Sequence, residues 1–375
     1  MSRPRLLVAG GGVGAVEAVL ALGEHAPDTF DLTLLAPGPA LVLAPESVAE
    51  ATGGPPANRF DLAAIAVDLG VRLVGGALDA VDVARKRVIT SDGTALDYDA
   101  LLLALGAVPG PVLPGAVRFG GVRDVPAVRS ALERAEGASR PRIAFVATGA
   151  VGWTLPVYEL AMLAAARFDE GGRDCTLMVV TAEAEPLGVF GRAASRKIAH
   201  QLSQLRITVK TATMAEGVEG GRLWFAAGGS VATDLVVALP EPRGPDVRGL
   251  PSDQNGFVPV DRFGRVSGAP AVWAAGDMTA RPLKQGGLAA QQAEAAARSI
   301  AAWAGADVEP QPYEPVLRGL LLTGAGPRYL RRSATSTVPS TSSERPLWSL
   351  DAKIAAGRLA PYLHARPELR LGGHP

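Results

Sequence analysis

Apolar positions along this chain fall into short continuous runs separated by stretches of helical period, the pattern of buried parallel strands alternating with covering helices. The run Leu6-Leu7-Val8-Ala9 passes into Gly10-Gly11-Gly12-Val13-Gly14-Ala15 and then into an Ala/Val/Glu/Leu stretch reaching about His25. Residues 30–37 read as a second strand, 60–69 as a helix and 71–74 as a further strand. Strict alternation then appears at 80–83 and 87–90, closed by Ser91-Asp92-Gly93, so a small antiparallel meander is expected inside a parallel fold. A buried strand follows from Tyr98-Asp99 to Ala104 and runs into Leu105-Gly106-Ala107-Val108-Pro109.

The same plan repeats from about residue 122 to 240. Strands are expected at 142–146, 175–181, 223–225 and 234–240, with an amphipathic helix over 190–205 whose Arg192, Arg196, Lys197 and His200 form a solvated face. The strand at 271–275 and an Ala-rich helix after Gly286 return to the first plan. In the tail, 315–324 and 327–332 read as strands, 333–343 as a polar loop, and 359–363 as an apolar segment broken by Pro361. The expected class is α/β, with two Rossmann-like (FAD/NAD(P)-binding) domains, the second inserted in the first, and a C-terminal α+β segment. The first domain takes 1–120 and 241–310, the second 121–240, and the tail 311–375.

Candidate chemistry starts at the first turn. Gly10 allows a tight turn, Gly12 lets the backbone approach a diphosphate, and Ala15 stands where helix packs on strand; Gly14 belongs to the same cradle. The diphosphate would lie on the free N–H groups of the helix start. Ala36 falls where this fold usually carries a ribose-binding acid, so backbone groups are expected to hold the ribose. Pro45 and Glu46 lie on the segment expected near the isoalloxazine, with Glu46 either a solvated helix cap or a proton-transfer group. The second stretch is Ala275-Gly276-Asp277, continuing to Lys284-Gln285-Gly286. Asp277 can accept from a ribityl hydroxyl, while the helix start at Gly286 and Lys284 favour negative charge on the reduced flavin. In the second domain the phosphate turn is damaged: Ala147 replaces the first glycine, and Trp153 and Pro156 stand between Gly152 and the helical run, with Trp153 expected to fill the pyrophosphate space.

Composition narrows the classes. Lys plus Arg and Asp plus Glu both number 37, without a basic aromatic stripe, which argues against nucleic acid. The single Cys175 excludes an internal disulfide or a cysteine pair and reads as a buried filler; His25, His200, His364 and His374 lack ligand spacing, so no metal site is expected. A mean hydropathy of +0.19 and 375 residues fit a multi-domain α/β interior without a transmembrane run. The chain passes directly into its first strand without a cleavable signal, so a cytoplasmic location is expected, with peripheral contact at the inner membrane face as the alternative.

Gly10-x-Gly12-x-x-Ala15, Tyr98-Asp99 with Leu105-Gly106-Ala107-x-Pro109, and Ala275-Gly276-Asp277 leading to Lys284-Gln285-Gly286-Gly287 together resemble the FAD-dependent pyridine nucleotide-disulfide oxidoreductase superfamily. The look is that of the sulfide:quinone oxidoreductase, flavocytochrome c sulfide dehydrogenase and type II NADH dehydrogenase branch, without its redox cysteines. The resemblance implies that Gly10, Gly12 and Asp277 contact FAD, adds Leu105 and Gly106 to the cofactor site, and implies that the tail 311–375 covers the flavin. It implies electron transfer from a small-molecule donor through FAD to a quinone or redox protein. Two alternatives stay open: an NAD(P)H dehydrogenase or ferredoxin-reductase-type enzyme using the imperfect second turn, and a flavin-binding scaffold with little turnover. Catalytic residues are not assigned beyond the candidates Glu46 and Lys284, and a homodimer is also open.

Overall fold

The computed structural model describes residues 3–149, 151–333, 340–350 and 352–372. Ala150 of the second turn, residues 334–339 of the expected loop and His374 lie outside the described residues. The chain opens with β1 (Arg5–Ala9), α1 (Val13–His25) and β2 (Asp31–Ala36), followed by β3 (Arg72–Gly75) and β4 (Ala100–Leu103). Phe60, expected in a helix, instead belongs to a short strand Arg59–Asp61, and the Asp61 carboxylate caps the helix Leu62–Asp68 by accepting from Ala63 and Ala64 N–H. The meander is present as three antiparallel strands, Leu78–Asp82, Arg87–Thr90 and Ala95–Asp97.

The second domain holds β5 (Val117–Arg118), β6 (Arg142–Ala147), α2 (Leu155–Glu170), β7 (Thr176–Thr181), α3 (Arg192–Gln204), β8 (Ile207–Lys210) and β9 (Leu235–Ala238). Its parallel sheet has the order β5-β9-β6-β7-β8. The chain therefore enters this sheet at Val117, a few residues before the expected boundary at 120; a two-residue edge strand carries no periodicity to read. Val108–Pro109 pairs antiparallel with Pro242–Arg243, so the outgoing and returning chains cross side by side. Both domains anchor their first strand alike. Arg5 N–H donates to Asp99 and Arg142 N–H to Asp234, each at 2.8 Å, and Arg142 holds the Asp234 carboxyl down to about 2.

On return, β10 (Val272–Ala274) completes the first sheet in the order β10-β4-β1-β2-β3, and α4 (Gly286–Trp303) packs along α1. The contact is made of small residues: Ala15 and Ala18 on α1 share a core with Ala290, Ala293, Ala296 and Ala297 on α4. Such faces let two backbones come close while the sheet residues Leu6, Val8 and Leu102 fill the layer beneath.

The tail forms β11 (Val316–Leu322), β12 (Pro327–Ser333) and β13 (Thr341–Ser343), one antiparallel sheet, and then α5 (Leu359–His364). The far end of the expected polar loop is thus a strand, because Tyr329 to Arg331 of β12 offer the backbone of residues 341–343 a ladder. The sheet lies on α2, α3 and α4, and so bridges the domains. Pro361 falls in the first turn of α5, where a missing N–H costs nothing. Leu359, Tyr362 and Leu363 are buried in the first domain's core. Glu17 of α1 accepts from the N–H groups of Arg358 and Leu359, and Arg358 bonds Glu24 and Glu294. No helix among the described residues is long and apolar enough to cross a membrane.

Candidate cofactor site

The glycine turn sits at the carboxyl end of β1, squeezed between neighbours. Gly10 has φ +134°, donates its N–H to the Leu35 carbonyl at 2.8 Å, and a Cβ there would stand 2.3 Å from the Ala104 oxygen. Only glycine fits. Above Gly12, by contrast, nothing lies within 4 Å of a Cβ position. Gly12 is the N-cap of α1 and no side chain caps the helix, so the first-turn N–H groups face that open space. Gly14 and Ala15 serve packing: a Cβ on Gly14 would meet Ala104 and Ala289 at 3.7 Å, and Ala15 is fully buried. Ala36 is buried against Gly11, so the strand end that usually offers a ribose ligand offers a methyl group.

The other half of the cradle forms where β10 ends. Gly276, at φ +79°, leaves a Cβ position 3.1 Å from Ala289 Cβ, so its backbone rests on the first turn of α4. Gln292 Oε1 fixes this turn by accepting from Gly276 N–H at 3.1 Å and Thr279 Oγ1 at 2.9 Å. Leu105 N–H approaches Met278 Sδ at 3.4 Å, bringing the Leu105-Gly106 turn onto the same ridge. Asp277 Oδ1 is enclosed and has no hydrogen-bond partner among the described residues. Burial pushes this carboxyl up to about 6, against the opposing pull of Lys284 and the Gln285 N–H. An enclosed carboxylate oxygen without a donor is costly unless a ligand supplies one. The residues therefore fit FAD: open helix amides for the diphosphate, and an unpaired carboxylate oxygen for a ribityl hydroxyl.

Lys284 donates to the Thr279 carbonyl and stands 3.6 Å above the Phe257 ring; burial lowers it to about 8. Gln285 caps α4 through Oε1, which accepts from Leu288 N–H at 2.8 Å, and its Nε2 donates to the Arg318 carbonyl at 2.8 Å. Gly286 faces Ile354 of the tail. Pro45 lies in the turn Ala44–Glu46. Glu46 is half-buried and stands at the N-cap of the short helix Ser47–Ala51 without capping it by its side chain: its Oε2 instead accepts from Asn58 N–H at 2.8 Å, and partial burial raises its pKa, opposed by Asn58, Arg370 and Lys353.

One pair escaped the sequence reading. Glu159, on the second-domain helix α2, is fully buried; its Oε1 accepts from Lys353 Nζ and, at 2.8 Å, from Leu322 N–H, while Oε2 has no partner. Burial raises the Glu159 pKa against the pull of Lys353. Lys353 also donates to the Leu320 carbonyl, and it immediately precedes the residue facing Gly286. The available signal was an acid inside the run Val157-Tyr158-Glu159-Leu160-Ala161, where only a paired carboxylate is tolerated.

The second turn is closed. A Cβ on Gly152 would lie 2.4 Å from the Pro282 carbonyl oxygen, and one on Gly149 would lie 2.9 Å from Met214 Sδ. Trp153 packs edge-on against Phe190 with centroids 5.8 Å apart, and α2 starts only at Leu155. Glu183, just past β7, where a ribose-binding acid would stand, is turned inward and accepts from Tyr158 OH at 2.7 Å. Cys175 precedes β7, its thiol pushed up by burial and by Asp174.

Two outcomes follow from this geometry. Raised above its unfolded value, the Asp277 carboxyl destabilises the flavin-free protein above about pH 6, and the penalty fades as protonation proceeds on acidification through 6. Flavin-free Asp277→Asn should melt above the flavin-free parent at pH 7.5, with a gap that narrows as the pH falls from about 6 toward the ordinary value of 3.8, and should hold FAD about tenfold or more weakly; thermal melts and FAD titration check both. Lys353→Met should cost about 3–5 kcal/mol in denaturant unfolding because it strands a buried carboxylate, and adding Glu159→Gln should recover most of the loss.

The pyridine nucleotide-disulphide oxidoreductase family profile matches residues 4–298. An NADH dehydrogenase-like protein of Mycobacterium tuberculosis is 30% identical over 236 residues, covering 60% of this chain and 59% of that protein. The chain thus aligns with about three-fifths of the length of the curated relatives it matches. The sulfide:quinone oxidoreductase of Aquifex aeolicus superposes with a TM-score of 0.80 over 91% of this chain and 87% of that one, at 18% identity. Putidaredoxin reductase, from its covalent complex with putidaredoxin, gives 0.66 over 89% and 82%, also at 18% identity. With the profile spanning both glycine turns and the Gly276-Asp277 ridge, the chain belongs to the pyridine nucleotide-disulphide oxidoreductase family, a family of FAD-binding oxidoreductases.

Proposed function

We propose that this protein holds one FAD in its first domain and passes electrons from a small-molecule donor to a separate acceptor, a quinone or a redox protein, with no nicotinamide nucleotide in its second domain. The contrast between the two turns carries the reading. The space above Gly12 is open, whereas at Gly149, its counterpart in the second turn, a Cβ would stand 2.9 Å from Met214 Sδ, and Glu183 past β7 is bonded inward by Tyr158. Bound FAD would supply two-electron transfer at its ring system, and the protein would supply position, charge and proton handling.

In this reading the α1 amides take the diphosphate and Asp277 accepts from the ribityl chain. The positive end of α4, near Gly286, faces the pyrimidine edge, with Lys284 adding a cation. The tail covers the flavin through Ile354 against Gly286 and the Gln285–Arg318 hydrogen bond. Net uptake of two electrons draws in a proton, and the Glu159–Lys353 pair is suited to hold it at Glu159 Oε2, which has no other partner. A cysteine-dependent donor finds no support, since Cys175 sits on the second domain's sheet with a raised pKa.

The name of the mycobacterial relatives favours a second reading, in which NADH reduces the flavin directly. Anaerobic mixing of the purified protein with NADH or NADPH separates the two. We expect flavin absorbance to persist for minutes, and the dithionite-reduced protein to be reoxidised rapidly by a short-chain quinone. Bleaching within seconds would establish the NADH reading, and failure with every acceptor would leave a flavin-binding scaffold.

A further inference from the structure

A cavity of about 590 Å³ lies between α4 and the tail, away from the glycine turn. Its walls include Gln291 and Glu294 of α4, Arg318 of β11, and Trp348, Ala356 and Pro361 of the tail. Most of its charges are satisfied. Glu17 accepts two backbone N–H groups, and Glu294 is bonded by His25, Arg298 and Arg358.

Arg318 and Glu314, which also lines the cavity, are the exceptions. The half-buried Arg318 guanidinium has no hydrogen-bond or ion-pair partner among the described residues, and burial together with the neighbouring Arg331 lowers its pKa. Arg331 stands directly opposite on β12, so two cations face each other across an antiparallel pair, an arrangement that costs stability. Glu314, at the mouth of the same cavity, is exposed to solvent and makes no ion pair with Arg318 among the described residues. A cation retained in a cavity, beside a like charge and without a counterion, is a site lacking its anion. One wall of the cavity is apolar: Trp348, itself packed on Tyr329 at 5.0 Å, with Ala290, Ala356 and Pro361.

We propose that this cavity binds a small organic carboxylate, whose charged end pairs with the Arg318 guanidinium and whose apolar body lies against Trp348 and the alanines of α4. The planar fork of arginine suits a carboxylate, and one such group would neutralise Arg318 and so relieve its repulsion with Arg331. The backbone of the same residue reaches the flavin-facing helix end, because the Arg318 carbonyl accepts from Gln285, the cap of α4. Occupancy of the cavity is thereby linked to the end of the helix that faces the cradle. The cavity itself stands without any flavin, so the inference does not rest on the cofactor reading.

The probe is benzoate, with neutral benzamide as its isostere and inorganic phosphate as the non-apolar anion, titrated into the full-length protein as purified. Benzoate should change tryptophan fluorescence saturably and raise the melting temperature, while benzamide and phosphate do so at least about tenfold more weakly. Trp348→Phe should remove the fluorescence change and keep the thermal shift. Arg318→Gln should weaken benzoate by about tenfold or more while melting no lower than the parent, since it relieves the facing charges. Should that variant not fold, Arg318→Lys keeps the charge and should bind benzoate more weakly than the parent but above benzamide. Equal responses to benzoate and benzamide, an unchanged response in the Arg318 variant, or no response to benzoate would overturn the proposal. Flavin absorbance recorded in parallel reports separately on the first domain.

Discussion

The close approach of α1 and α4 is the constraint on which the site depends. Two helices can start side by side at the carboxyl edge of one sheet only if their facing surfaces are nearly bare, and here they are glycine and alanine: Gly14 on Ala289, Gly276 on Ala289, Ala15 and Ala18 in one core with Ala290 and Ala293. That approach sets two helix N-termini at one edge, one at Gly12 and one at Gly286. An extended ligand with an anionic middle and an electron-accepting ring finds a dipole for each.

The cost of this arrangement is concentrated in Asp277. Its carboxylate oxygen is enclosed beside the ridge that Gln292 holds, and no group among the described residues satisfies it. Polar groups buried in this way are usually functional, because the missing partner arrives with a ligand. The tail adds a second commitment. Lys353 of the tail reaches a carboxylate buried in the second domain, and both are bonded to the backbone of β11, at Leu320 and Leu322, so the tail is tied to α2 through the C-terminal sheet.

Much of this was legible in the chain because it is local. The buried run at Leu6, the spacing of Gly10 and Gly12, and the Gly276-Asp277 strand end each declare themselves within a dozen residues. What was not legible is contact across distance. Glu159 and Lys353 are 194 positions apart, and neither looks unusual until the fold brings them together. The damaged turn at Ala147 could be read as weak, but its closure by Pro282, a residue of the other domain, could not. Glu183 stands in the ordinary ribose position, and only its hydrogen bond to Tyr158 shows that it faces inward. Short strands such as Val117–Arg118 and Thr341–Ser343 exist because a neighbour offers a ladder, and their own residues carry no pattern.

The central claim is that one of two similar turns is a dinucleotide site and the other is not. Calorimetric titration of the flavin-free protein, first with FAD and then with NAD⁺ and NADP⁺ on the reconstituted protein, tests it most directly. The account predicts saturation at one FAD per chain and no heat of binding with either nicotinamide nucleotide. Failure to take up FAD, or a stoichiometric second site for NAD⁺ or NADP⁺, would contradict it.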